Sequence, residues 1–146
     1  MPPHKEIKVA RLFEAPPRAL FAALTEPALL EGWLCTRAES DPGDDGEFRY
    51  ELSSTASGMH VISGRYEKFV RPERLKMSWR YEGPLWEGVL EMPVEITFTQ
   101  YGPTTEVALT QGVANEQQKA LAEAGWKRAF ERLADLAGEH HSPLPV

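Results

Sequence analysis

The stretch NEQQKALAEAGWKRAFERLADLAG, residues 115–138, carries its apolar side chains at steps of three and four. Ala122, Trp126, Ala129, Phe130, Leu133, Leu136 and Ala137 fall on one stripe, the pattern of an amphipathic helix. Asn115, followed three residues later by Gln118, resembles a capping box. Gly138 is placed to end the helix. A helix of ~22 residues is about 33 Å long, enough to lie across a whole small sheet. Everything upstream is therefore read for a surface that this stripe can cover.

Most of that surface is strand. Ile7, Val9 and Arg11 alternate with Lys8, Ala10 and Leu12, a first strand that Pro16-Pro17 stops. Leu20, Phe21 and Leu24 then recur at helical spacing within residues 17–24. Thr25 is an N-cap candidate ahead of Pro27, which predicts a second short helix over 27–33. The two helices are expected to cross one end of the sheet. A weak strand at 36–41 leads into the turn Asp41-Pro42-Gly43-Asp44-Asp45-Gly46. Phe48, Tyr50 and Leu52 alternate with charged neighbours, and residues 53–58 read as a polar loop. Runs at 60–70 and 75–81 follow, and then a Gly/Pro-rich loop that carries Trp86. Val94, Ile96 and Phe98 are expected to pair across Tyr101-Gly102-Pro103-Thr104 with Val107 and Leu109. Consecutive hairpins without helices between them predict an antiparallel sheet.

Three tryptophans, Trp33, Trp79 and Trp126, stand on three different predicted elements. Large aromatics spread in this way suit the lining of one shared apolar interior. Strand alternation turns Phe48, Tyr50, Ile62, Tyr66, Met77, Trp79, Tyr81, Val94, Ile96 and Phe98 toward the helix face that carries Trp126 and Phe130. With Trp33 added and Val94 left aside, these twelve are the candidate ligand-lining residues. The alternative is that they fill a core and leave no void worth occupying.

At 146 residues the chain reads as a single domain, residues 1–139, with a flexible tail at 140–146; such a chain buries roughly 70% of its unfolded surface. One cysteine, Cys35, forms no internal bridge, which suits a reducing cytoplasm, the expected location. The start, Met1-Pro2-Pro3-His4-Lys5-Glu6, lacks the pattern of a secretory signal. No run approaches the ~20 apolar residues of a membrane span. A net charge of −6 argues against a nucleic-acid surface. There is no Gly-x-Ser-x-Gly elbow, phosphate loop or dinucleotide fingerprint, so no cofactor is implied. The acidic cluster Asp41, Asp44, Asp45 and Glu47 departs from the EF-hand spacing, and no metal is implied either. His60 lies in a strand where it could face the interior, with a proton affinity suited to acid–base work.

Several stretches, taken together in order, resemble a START-like (SRPBCC, helix-grip) domain. They are Ala15-Pro16-Pro17 with residues 20–25, Trp33, Gly46-Glu47-Phe48, Gly64-Arg65-Tyr66-Glu67, Glu73-Arg74-Leu75 with Trp79, residues 105–110, and Gly125-Trp126 with Leu133. More narrowly the chain is similar to the branch named after the ATPase activator of the ninety-kilodalton heat-shock chaperone, the AHSA type. The resemblance implies an α+β fold: a curved seven-stranded antiparallel sheet wrapped round the C-terminal helix, two short helices after strand 1, and a cavity between sheet and helix. It carries over no catalytic residue, because none is shared across the superfamily. One departure stands out: relatives have a short Gly-Gly hairpin where this chain sets Asp44 and Asp45 between Gly43 and Gly46.

The function expected is the binding of a small hydrophobic molecule in that cavity by a module that is non-enzymatic or weakly catalytic. A second reading is a polyketide cyclase- or dehydratase-like enzyme using Tyr66, His60 or Tyr81 as acid or base. A third is a co-chaperone-like interaction module that meets a protein through a sheet edge or the Trp86 loop. Homodimerisation is left open.

Overall fold

Strands β1 (Lys5–Phe13) and β2 (Arg37–Ser40) follow one another in the chain, yet they form opposite edges of one sheet. Helices α1 (Pro17–Ala23) and α2 (Pro27–Leu30) carry the chain from one edge to the other. It then returns as a meander: β3 (Glu47–Ser54), β4 (Gly58–Val70), β5 (Arg74–Gly83), β6 (Trp86–Tyr101) and β7 (Thr104–Val113). The resulting order is β1-β7-β6-β5-β4-β3-β2, and each neighbouring pair is antiparallel. Helix α3 (Glu116–Glu139) closes the sequence. This computed structural model describes residues 5–56 and 58–139, and it has the α+β helix-grip architecture that the sequence predicts.

Local details depart from expectation for identifiable reasons. The second helix ends at Leu30 rather than 33, because tighter bonds take over: the Gly32 and Trp33 N–H groups donate to the Leu29 and Leu30 carbonyls. Thr25 does not cap it. Its hydroxyl donates back to the Phe21 carbonyl at 2.9 Å, and Glu26 takes the cap position without a side-chain bond. Strand pairing runs on through Ser54↔Gly58, which shortens the expected 53–58 loop to a hairpin tip. Likewise Gly83 pairs with Trp86, so Trp86 opens β6 after a turn at Pro84-Leu85 instead of riding a loop. The side chain of Trp86 lies outside the described part. In the acidic turn Asp45 takes a left-handed φ of 61°, the conformation that glycine ordinarily supplies. Helix α3 runs through Gly138 to Glu139, one residue past the predicted exit, and the expected tail at 140–146 lies outside the described residues.

Packing differs between the two ends of the sheet. At the end crossed by α1, Phe21 meets Phe69 edge-on at 5.0 Å and Phe98 at 5.3 Å, with Leu20, Leu75 and Ile96 sealed beside them. Fully burying each such side chain contributes about 1.5–3 kcal/mol relative to leaving it in water. The backbone of α3 comes close to β1, where Phe130 packs edge-on against Phe13 at 5.7 Å, and less extensively to β7. Toward β5 large side chains bridge the space: Trp126 leans on Trp79 at 5.3 Å. The cap of α3 forms nearly as predicted. Asn115 Oδ1 accepts the Gln118 backbone N–H at 2.9 Å, while Gln118 Oε1 reaches one residue further back and accepts the Ala114 N–H at 2.9 Å.

Candidate functional site

At the end of the sheet away from α1, a cavity of about 660 Å³ lies between α3 and the inner sheet face. Of the twelve candidate lining residues, Trp33, Tyr50, Ile62, Trp79, Tyr81 and Trp126 border it. Phe48, Tyr66, Met77, Ile96, Phe98 and Phe130 face the same interior but sit in packed core away from the cavity, as does Val94. Position along each strand makes the difference. On β5 the inner face runs from Leu75 and Met77 in the closed core to Trp79 and Tyr81 at the cavity. On β6 it runs the other way, from Phe98, Ile96 and Val94 to Met92 and Leu90.

The wall also contains residues that the sequence did not mark as lining: Cys35, Leu90, Met92, Gln111, Gln118 and Gly125 among them. Three of these carried a signal. Met92 and Leu90 continue the alternation of Val94, Ile96 and Phe98. Gln111 interrupts the apolar series Val107, Leu109 on an inward-facing register and is buried, and a polar side chain there has a task.

The polar groups of the wall are mostly paired. The Trp126 indole N–H donates to Gln111 Oε1 at 2.6 Å, and the Gln111 amide donates to the Met92 sulfur at 3.0 Å. Trp33 donates its indole N–H to the Ala23 carbonyl at 2.9 Å, which fixes the turn after α2 against the end of α1. His60 Nδ1 and the Tyr81 hydroxyl are 2.7 Å apart, and the Leu85 N–H donates to that same hydroxyl at 3.0 Å. Glycine at 83 makes this possible, since a Cβ there would fall 2.5 Å from the Tyr81 oxygen. Burial pushes the Tyr81 phenol above its ordinary range, and burial pushes Tyr50 further still. Both therefore stand as neutral phenols near neutral pH. Tyr66 is also held protonated by burial, but its hydroxyl bonds Ser40 at 2.9 Å in the core, away from the cavity. Of the three acid–base candidates, His60 and Tyr81 reach the cavity wall and Tyr66 does not.

Cys35 borders the same space, with its thiol pushed up to about 12 by burial and, secondarily, by the Glu31 carboxylate. Because the thiolate is the reactive form, an aromatic disulfide reagent at about pH 8 should modify the folded protein on the order of a hundredfold more slowly than the denatured chain. The folded state prefers the neutral thiol and the ordinary value is 9.0, so this site makes unfolding easier as pH climbs from 9.0 toward about 12. Equal modification rates before and after denaturation would refute the buried, acid-flanked setting.

A curved antiparallel sheet closed over a long C-terminal helix, with a cavity between the two, defines the START-like helix-grip class. Residues 14–138 match the family model described as Activator of Hsp90 ATPase homolog 1-like protein, and the chain belongs to that family. Solved structures agree. Protein CV1439 from Chromobacterium violaceum is 25% identical over 90% of this chain and 96% of its own, with a TM-score of 0.77. Protein MLL2253 from Mesorhizobium loti is 25% identical over 93% of this chain and 98% of its own, also at 0.77. CalU16 from Micromonospora echinospora, at 24% identity, 94% and 76% coverage and a TM-score of 0.69, shares the fold. No curated protein matches the chain. Among the described residues no helix is long and apolar enough to cross a membrane.

Proposed function

We propose that this protein is a cytoplasmic holder of a small hydrophobic molecule, bound between the sheet and α3. The cavity carries the reading. Its volume of about 660 Å³ falls within the ~300–1,000 Å³ usual for small-ligand sites, and its wall is mostly aromatic and aliphatic with a few buried polar groups. Gly125 supports the same reading. A glycine inside a helix is about 0.8–1.0 kcal/mol worse than alanine, yet a Cβ at this position would meet nothing within 4 Å. Packing does not require the glycine, and it keeps that part of the wall open. Native mass spectrometry of freshly purified protein should find a lipophilic small molecule that dissociates on denaturation. Gly125→Phe, which extends a ring from the cavity wall, should lose at least about tenfold in affinity for it. Protein that emerges bare, and that takes up nothing from a hydrophobic cell extract, would refute the reading.

The His60–Tyr81 pair at 2.7 Å favours one second reading, acid–base chemistry of the dehydratase or cyclase kind on the same molecule. The two differ in outcome. A holder releases its ligand with its mass and spectrum unchanged, and an enzyme does not.

A further inference from the structure

Leu121, Gly125, Arg128 and Arg132 follow one another along α3 at steps of four, three and four, and all border the cavity. At 3.6 residues per turn they share an arc of about 60°. The opposite side of the helix carries Phe130 against Phe13 of β1, so this flank looks toward the other edge of the sheet. Across from it run residues 31–36, ahead of β2, and every one of them borders the same space. The two walls meet one turn beyond Arg132, where a Cβ on Gly32 would lie 3.6 Å from Leu136 Cδ2. Leu121 and both arginines on one wall, and Glu31, Gly32 and Thr36 on the other, are exposed. The mouth of the cavity lies between them.

Apart from His60, the ionisable side chains of this lining that carry charge are Glu31, Arg128 and Arg132. Glu31 is engaged, since its Oε2 accepts the Ala38 N–H at 2.9 Å. Neither arginine forms an ion pair or hydrogen bond among the described residues, although Glu131 and Asp135 stand three positions beyond them. Like charges four residues apart on a helix repel, and a chain with 22 acidic and 16 basic residues has carboxylates to spare. With Glu31 set against the pair, one positive charge is left over at the mouth. The guanidinium fork matches a carboxylate in shape as well as in charge.

We infer that the molecule held in the cavity is an amphipathic monoanion, an apolar body that ends in a carboxylate, and that Arg128 and Arg132 receive the carboxylate at the mouth. The inference rests on the holder reading above and adds the ligand's chemical class and orientation. The aromatic and aliphatic interior takes the apolar body, where an unpaired ion would be costly. At the rim, water and two exposed guanidinium groups share the charge, so no burial cost arises. Gly125 lies between Leu121 and Arg128 on the same flank, and with nothing within 4 Å of its Cβ position it leaves the way in open.

Decanoate, 1-decanol and decylamine test this, because they share one flexible apolar chain and end in an anion, a neutral hydroxyl and a cation at about pH 7.5. Calorimetry on the full chain at low ionic strength should find decanoate at least about fivefold tighter than decanol, with decylamine the weakest. Hydrophobicity alone gives the reverse order for the first two, since a charged end prefers water. In about 0.5 M salt the advantage of decanoate should shrink below about twofold. Exchanging both arginines, Arg128→Gln with Arg132→Gln, keeps good helix formers at exposed positions. That protein should bind decanoate no better than decanol. Charge reversal, Arg128→Glu with Arg132→Glu, should make decylamine the tightest of the three, a gain that a damaged fold does not produce. The wild-type order and its salt response decide the matter even if a variant fails to fold. Decanoate no tighter than decanol at low salt, or a preference that survives salt or the glutamine exchange, would overturn the monoanion inference and leave the holder reading intact. If none of the three probes bound, both would fall.

Discussion

Replacing Trp126 by alanine is expected to lower folding stability by about 3–5 kcal/mol, the range for truncating a buried large aromatic. Three losses add up at this position. Its ring contacts with Trp79 at 5.3 Å and with Phe130 of the same helix at 5.8 Å disappear, and the first of these joins α3 to β5 across the cavity. Gln111 Oε1 loses its donor in a buried setting. The void cannot close cheaply, because the backbone of α3 is already held by β1 and β7 on its other side. Trp126→Phe separates the terms: it keeps most of the ring and deletes the N–H, so its cost should be about 1–3 kcal/mol. Urea denaturation gives both numbers, and for a chain of this length the alanine variant should melt on the order of 10 °C lower. A Trp126→Ala protein within about 1 kcal/mol of the parent would mean that the helix is not gripped through this residue.

The same ring marks the limit of what could be read from the chain alone. The stripe from Ala122 to Leu133 on α3, the alternation on β3 to β7 and the prolines at 16–17 and 27 are local signals, and each element they predict is present. Alternation, however, reports which face a strand residue occupies and says nothing about how far along the sheet it sits. Tyr66 and Ile62 share a face of β4, yet one is sealed by Ser40 in the core and the other borders the cavity. The same ambiguity separates Met77 from Trp79. Which end stays open depends on where α1 and α2 cross, and that is a tertiary fact: Phe21 fills the space against Phe69 and Phe98 at one end, and no described residue of α1 borders the cavity at the other. The His60–Tyr81 contact was also beyond local reading. It depends on the register Ile62↔Tyr81 of β4 and β5, together with a glycine at 83 that leaves room for the hydroxyl.

The two ends of the sheet also differ in packing and in polar pairing. Around Phe21, side chains interlock and the few polar groups are paired, as with Thr105 Oγ1 donating to the Ala15 carbonyl at 2.8 Å. Around the cavity, the helix carries a glycine where alanine would be better for the helix, and two buried donors, Trp79 Nε1 and Gln118 Nε2, go unmatched among the described residues. Such features cost stability, and under the holder reading proposed above a bound molecule would offset that cost. Ligand that saturates the site a hundredfold above its dissociation constant would add about 2.7 kcal/mol.

Gly64→Ala is expected to be at least as damaging as the loss of Trp126, and by the opposite mechanism. On β4, Gly64 pairs with Phe48 on one side and Trp79 on the other, on the inner face between Ile62 and Tyr66. An added Cβ would lie 1.6 Å from the Ser78 carbonyl oxygen and 2.9 Å from the tip of the Phe48 ring. The ring could swing aside, but the carbonyl belongs to the backbone of β5 and can move only if the two strands part. Overpacking usually costs about 1–3 kcal/mol when side chains can yield; with backbone in the way the cost should exceed that range and leave little folded protein. Gly102→Ala is the matched control. Gly102 has a left-handed φ of 62° but nothing within 4 Å, so alanine there should cost only about 1 kcal/mol of backbone strain. Circular dichroism melts of the two variants distinguish crowding from strain. If Gly64→Ala melts no lower than Gly102→Ala, then β4 and β5 do not approach as closely at Ser78 as described, and the aromatic wall of Phe48, Tyr50 and Trp79 that their approach supports would need another explanation.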